Sequence, residues 1–174
     1  QVAAMAETKW SRIELLKMRG ICKSFATVRA NQDVDLTIRS GEILGLLGEN
    51  GAGKTTLMNI LYGLYQPEDG EILVNGQSVR FRSPKDSMRV GIGMIHQHFM
   101  LVDKHTVLEN IALGYDDAPF FFPQRAIRER ITQLSAQYGL DVEPDKPIWD
   151  LSAGEQQRVE IVKALSRNAD LLIM

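Results

Sequence analysis

The sequence predicts an α/β fold organised around a phosphate-binding loop, with an antiparallel β part and an inserted all-helical segment. Three observations carry this expectation. The stretch Gly48-Glu49-Asn50-Gly51-Ala52-Gly53-Lys54-Thr55-Thr56 stands between an apolar run and a helix-forming run. Short strand signals with Gly and Asn-Gly punctuation lie on both sides of it. Residues 99–150 then change to apolar positions at helical spacing, with charges between them.

Composition bounds the reading. The chain has 174 residues, 24% charged and 44% hydrophobic, enough for one substantial core with an appended subdomain and typical of a soluble globular protein. A net charge of −2 without a long Lys/Arg run weighs against a dedicated nucleic-acid binder. No apolar stretch approaches the roughly 20 residues that span a bilayer. Gln1 to Trp10 lacks the basic-then-apolar order of a secretory signal. The single cysteine, Cys22, has no internal disulfide partner and reads as a small buried hydrophobe in a reducing compartment. A cytosolic protein is expected.

In chain order, residues 1–10 read as a leader outside the fold. Ile13–Met18 and Val34–Arg39 read as strands, the second by alternation of apolar and polar residues. Phe25 lies between them. Its default place is the core, with stacking on an adenine ring left open. Ser40-Gly41 turns the chain into the apolar strand Ile43-Leu44-Gly45-Leu46-Leu47.

The loop that follows fits G-x-x-x-x-G-K-S/T, in the strand-to-helix context that makes the pattern a phosphate site. Gly48, Gly51 and Gly53 let the backbone curl so that several N–H groups converge on an anion. The helix starting near Lys54 turns its positive end toward the same point. Lys54 is placed to reach β- and γ-phosphates, and the Thr55 hydroxyl to hold Mg²⁺. A purine nucleotide is the expected ligand.

The loop helix should end near Gly63, and Pro67-Glu68-Asp69-Gly70 is a turn. Glu71–Val74 and Ser78–Phe81 form a hairpin across Asn75-Gly76. Ile92–Ile95 is a buried strand that delivers His96-Gln97-His98 at its end, where α/β proteins collect functional groups. Val107–Leu113 is a short helix capped by Thr106. Phe120-Phe121-Phe122, between Pro119 and Pro123, reads as a buried turn, with a partner-binding surface as the alternative. Ile127, Ile131, Leu134 and Tyr138 share a helix face that Gly139 ends. Ser152 caps a further helix with Glu155 three residues on, a capping box that also presents N–H groups to an anion. Asp170–Met174 is an apolar strand.

Taken together, these pieces resemble the nucleotide-binding domain of ATP-binding-cassette (ABC) proteins, with a P-loop NTPase core. The phosphate loop, Gln97 after an apolar strand, the helical block and Leu151-Ser152-Ala153-Gly154-Glu155-Gln156-Gln157-Arg158 match in order and spacing, from about residue 14 onward. The wording of Gly91–Phe99 and of Thr106–Gly114 looks most like importers of simple sugars and nucleosides, in which this is the first of two cassettes. The resemblance implies a leader at 1–10, a nucleotide-binding core with an antiparallel part at 11–97 and a helical subdomain at 98–150. It makes 151–174 the signature helix and the start of the Walker B strand.

The resemblance also assigns roles. Phe25 would stack on adenine. Gly48, Asn50, Gly51, Gly53, Lys54, Thr55 and Thr56 would hold the ATP phosphates, with Thr55 and Gln97 on Mg²⁺ and Lys54 and Gln97 in catalysis. Ser152, Gly154 and Glu155 would meet, in trans, the nucleotide held by a second cassette. Transmembrane permease subunits are the implied partners, with a solute-binding protein acting indirectly, and no nucleic acid. That places the protein on the cytoplasmic face of the inner membrane.

The chain departs from the family's Leu-Ser-Gly-Gly-Gln signature at Ala153 and Glu155. Asn168–Met174 looks like the strand whose metal-binding Asp and catalytic Glu would stand just beyond Met174, and the family's switch histidine would come further on. The intact protein is therefore expected to be an ATPase, and this stretch alone to turn over ATP negligibly. Its parallel sheet would lack flanking strands, which favours intermolecular strand pairing or low stability. A non-transport ABC ATPase and a nucleotide-binding fragment without turnover remain the alternatives.

Overall fold

The computed structural model describes residues 12–96, 100–113 and 124–174. The 1–10 leader, Gln97, His98 and the Phe120-Phe121-Phe122 run lie outside the described residues. The chain divides into two compact units, Gln1–Ile92 and Gly93–Met174.

The first unit is built on a four-stranded antiparallel sheet. Strand β1 (Leu15–Phe25) pairs with β2 (Val28–Arg39) on one side and β3 (Asp69–Val74) on the other, and β3 pairs with β4 (Gln77–Val79). Successive strand residues point to opposite faces. Leu16 and Met18 therefore share a face, opposite Ile38 and Leu36 on β2 and Val74 and Ile72 on β3. Leu16, Met18, Ile72 and Val74 are buried there. Burying one such side chain contributes about 1.5–3 kcal/mol. The Asn75-Gly76 turn forms as expected, with φ of 50° and 82°. The Asn75 carboxamide oxygen also accepts from the Glu14 and Leu15 N–H groups, at 2.9 and 3.0 Å, and so fixes the start of β1.

Helix α1 (Lys54–Tyr62) buries Leu57, Ile60 and Leu61 and ends at Gly63, as its sequence predicts. A second helix, α2 (Pro84–Val90), is an element the sequence reading missed. Its signals are local: Pro84 at the first turn, and Asp86, whose carboxylate accepts from Ser83 N–H at 3.1 Å.

Several expectations are corrected in this unit. Strand β4 ends at Val79, and Phe81 is buried beyond it. Cys22 is only partly buried, and its Sγ accepts from the Asp33 N–H at 3.2 Å, so it is more than an inert hydrophobe. Ile43–Leu47 is not a strand: Ile43 is 99% and Leu47 93% exposed. An apolar run becomes a strand only where a neighbour takes its N–H and C=O groups. Among the described residues none does, and the observed sheets are the four-stranded antiparallel one and a separate pair.

In the second unit β5 (Ile92–Met94), which starts at the unit boundary, pairs with β6 (Leu171–Ile173), and the Ile95 N–H donates to the Ile173 carbonyl at 2.8 Å. The core gathers Val107, Leu108 and Ile111 of α3 (Val107–Ala112), Ile127, Ile131 and Leu134 of α4 (Gln124–Tyr138), and Val159 and Val162 of α5 (Ala153–Ser166). Tyr138, read as part of the α4 stripe, is instead exposed at the helix end. Gly139 follows it with φ 65°.

A strap crosses the start of α3. Val107 and Leu108 N–H groups donate to the carbonyls of Lys146 and Pro144, at 3.0 and 2.9 Å, and Ile148 N–H donates to the His105 carbonyl. On the other flank, α5 grips one peptide position. The Met100 N–H donates to buried Glu160 at 2.9 Å, and Lys163 donates to the Met100 carbonyl at 3.0 Å. Among the described residues no helix is long and apolar enough to cross a membrane.

Candidate functional site

The phosphate loop lies in the first unit. Gly51 and Gly53 take φ of 88° and 84°, the left-handed region the glycine pattern anticipates. Gly53 is the N-cap of α1, and no side chain caps that end. The first-turn N–H groups of a helix have no intrahelical acceptor, so those of α1 are left for a ligand. Lys54 folds back over the loop and donates to the Gly48 and Glu49 carbonyls, at 2.7 and 2.8 Å. The ammonium is thus held among the loop glycines rather than extended into solvent.

Gly53 is fixed by its neighbour strand. A Cβ there would lie 2.0 Å from the Ala30 carbonyl oxygen of β2. Buried Asn31 donates its carboxamide N–H to the Gly53 carbonyl at 3.2 Å, while its Oδ1 is buried without a partner among the described residues. Sequence reasoning missed Asn31. The available signal was a carboxamide standing within an alternating strand, one residue after Ala30.

Gly48, Asn50 and Thr55 are exposed, and Thr56 is half-buried. Among the described residues no cluster of three or more His, Cys, Asp or Glu stands ready to hold a metal. The Thr55 hydroxyl is nonetheless a hard oxygen ligand of the kind Mg²⁺ takes, with phosphate oxygens completing the set. The exposed Thr55 hydroxyl therefore fits Mg²⁺ by its chemistry; Gln97, the other expected ligand, is outside the described residues.

Phe25 corrects its default reading as core. It ends β1 at the hairpin tip and is 41% exposed. Tyr65 meets its ring edge-on, with centroids 5.2 Å apart at 71°, and the Lys23 ammonium lies 5.5 Å from its centroid. Neither neighbour was anticipated.

The signature residues lie in the second unit, at the start of α5. The expected capping box forms: the Ser152 N–H and hydroxyl donate to Glu155 Oε2 at 2.7 and 2.6 Å, and the Glu155 N–H returns to Ser152 Oγ at 3.4 Å. Lys146 donates to the other carboxylate oxygen, Oε1, at 3.0 Å. The Ser152 hydroxyl and N–H and the Lys146 ammonium together hold the Glu155 carboxyl down at about 2, against an ordinary 4.5. Ala153 is the first helical residue and is not among the positive-φ positions, so alanine costs little there. Gly154 is exposed, with nothing within 4 Å of a Cβ built on it.

The structure therefore groups Gly48–Thr56 in one unit and Ser152–Glu155 in the other. Lys146 was missed because it lies outside the motif and reaches it through the strap. His105 Nδ1 is buried without a partner among the described residues, and the His105 carbonyl serves the strap.

Comparison with known proteins identifies relatives. Residues 31–174 match the family model described as ABC transporter. The glucose import ATP-binding protein of Haloferax volcanii is 45% identical over 94% of this chain and 35% of its own length. The guanosine import ATP-binding protein of Bacillus subtilis is 49% identical over 91% of this chain and 31% of its own length. A crystal structure of a nucleotide-free ATP-binding cassette from an ABC transporter superposes with a TM-score of 0.78 at 25% identity, covering 92% of this chain and 68% of that one. The chain spans about a third of the length of the curated relatives it matches.

Proposed function

The chain belongs to the ABC transporter family, and on that premise we propose that it is the ATP-binding part of a membrane importer, coupling ATP binding and hydrolysis to uptake of a small solute such as a sugar or nucleoside. The solute class rests on the relatives, which are import proteins for glucose and guanosine. The observation that carries the nucleotide half is the uncapped start of α1 with Lys54 folded over its loop.

The binding chemistry follows from that geometry. Gly48, Asn50, Gly51 and Gly53 form the wall of the loop, and the first N–H groups of α1, from Lys54 to Thr56, donate to phosphate oxygens. Lys54 exchanges its two carbonyl acceptors for the more strongly attracting β- and γ-phosphate oxygens. Mg²⁺, when bound, spreads the negative charge that builds on those oxygens. Thr55 and Gln97 are the residues to hold it, and Gln97 would pass the nucleotide state to the helical segment 98–150 that faces the permease. Phe25 offers its ring to adenine, held by its T-shaped packing with Tyr65.

Ser152 and Gly154 would close over the γ-phosphate of ATP bound to a second cassette. The Ser152 hydroxyl then turns its hydrogen bond from Glu155 Oε2 to a phosphate oxygen, keeping its own proton. ATP thereby favours the closed pair, and its loss by hydrolysis releases it.

A calorimetric ATP titration of the wild type and of Lys54→Ala tests the first half. Binding is expected for the wild type, with affinity reduced about a hundredfold or more in the variant. Equal affinities would overturn the loop as the phosphate site. Solute uptake by vesicles holding the assembled importer tests the second half. Uptake abolished by Lys54→Ala supports transport, whereas ATP binding without any effect on uptake favours a non-transport cassette.

A further inference from the structure

We propose that Lys146 is a positioning residue for the signature: its ammonium holds the Glu155 carboxylate back from the approach of a γ-phosphate and cancels its charge. The proposal rests on the reading that the start of α5 meets a phosphate, and it explains how an acid is tolerated there.

A carboxylate and a phosphate at one helix N-terminus compete for the same N–H groups and repel each other. Here both carboxylate oxygens are engaged. Oε2 takes the two Ser152 donors, and Oε1 takes Lys146. Once a phosphate oxygen accepts the Ser152 hydroxyl proton, Oε2 loses one of its donors. Lys146 then remains as the charged partner that keeps the side chain turned away.

Lys146 is fixed for that task. Its carbonyl accepts from the Val107 N–H at 3.0 Å, its N–H donates to the Glu143 carbonyl at 3.3 Å, and the adjacent Pro147 bridges to Thr106. The ammonium also feels Glu143 and Asp150, and Arg158 lines the same cleft beside Glu143 and Glu155. The pair is about three-quarters covered, with side-chain exposures of 26% and 28%, unlike the open Arg125–Glu129 pair.

Capping alone does not call for the lysine. Helix α3 carries the same box, with the Thr106 N–H and hydroxyl donating to Glu109 Oε2 at 2.8 and 3.1 Å. Among the described residues no lysine or arginine pairs with Glu109, and neighbouring His105 is the least of the influences on its carboxyl, behind the Thr106 hydrogen bonds. The extra cation belongs to the helix end whose acid stands in a ligand's path.

The test is a variant cycle in the assembled importer, reading the KM for ATP and kcat separately. Lys146→Met should raise the KM for ATP about five- to tenfold, and Lys146→Arg should largely preserve it. Glu155→Gln combined with Lys146→Met should restore the KM to within about twofold of wild type, because no charge is then left to compensate. A double variant as impaired as Lys146→Met would overturn the proposal and make the lysine a staple of the strap. Ser152→Ala is the control for the underlying reading. If it leaves both constants unchanged, that helix end meets no phosphate, and the positioning role falls with it.

Discussion

The two helix starts proposed to meet phosphate are built in opposite ways. Helix α1 begins at a glycine, has no side-chain cap and leaves its first N–H groups for a ligand. Helix α5 begins with a serine and an acid that satisfy each other, and a lysine locks the acid in place. The first is open by construction, and an anion need only displace weak acceptors of Lys54. The second is closed on itself, so a ligand must take the serine hydroxyl from an existing partner. A site that binds alone can afford to be open. One that closes only over a neighbour's nucleotide, as we propose for α5, is better kept satisfied until that neighbour arrives.

The largest break in this contrast is Gly53→Ala. It places a methyl group on the Ala30 carbonyl and forces a non-glycine residue to φ 84°. A loss on the order of 3 kcal/mol in urea unfolding of the first unit is expected, together with loss of ATP binding. Wild-type affinity would mean that the left-handed cap is dispensable.

A smaller effect comes from pH. The Glu155 carboxyl is held below its ordinary 4.5, so the stability its charge supplies is complete above that value and disappears as pH falls toward 2. Acid denaturation followed on the second unit should therefore be shallower in Glu155→Gln than in the wild type over that window. Identical acid profiles would remove the capping box and Lys146 from the ledger of that unit.

The smallest effect is expected for Ala153→Gly, which restores the family's more common signature residue. At the first helical position, with ordinary φ, glycine should cost only a few tenths of a kcal/mol and leave the KM for ATP within about twofold. A large gain in affinity would show that α5 must leave its helical backbone to bind.

What the sequence revealed and concealed divides along the same physical line. Gly53, Thr106 and Ser152 announce their helix starts because capping is decided within four residues. Helix α2 is equally announced, by Ser83, Pro84 and Asp86. Ile43–Leu47 carries a strand's composition without being one, since pairing depends on a partner elsewhere in the chain. Lys146 and Asn31 were concealed for a related reason. Each reaches a motif from a separate segment, through a strap in one case and a neighbouring strand in the other.

The grip of α5 on Met100 has an evolutionary corollary. Glu160 and Lys163 hold a backbone N–H and a carbonyl, groups that every residue except proline possesses, while the Met100 side chain itself is 66% exposed. Across descendants of this gene, position 100 should therefore tolerate almost any residue. Positions 160 and 163 should instead change together, as an acceptor–donor couple, or not at all.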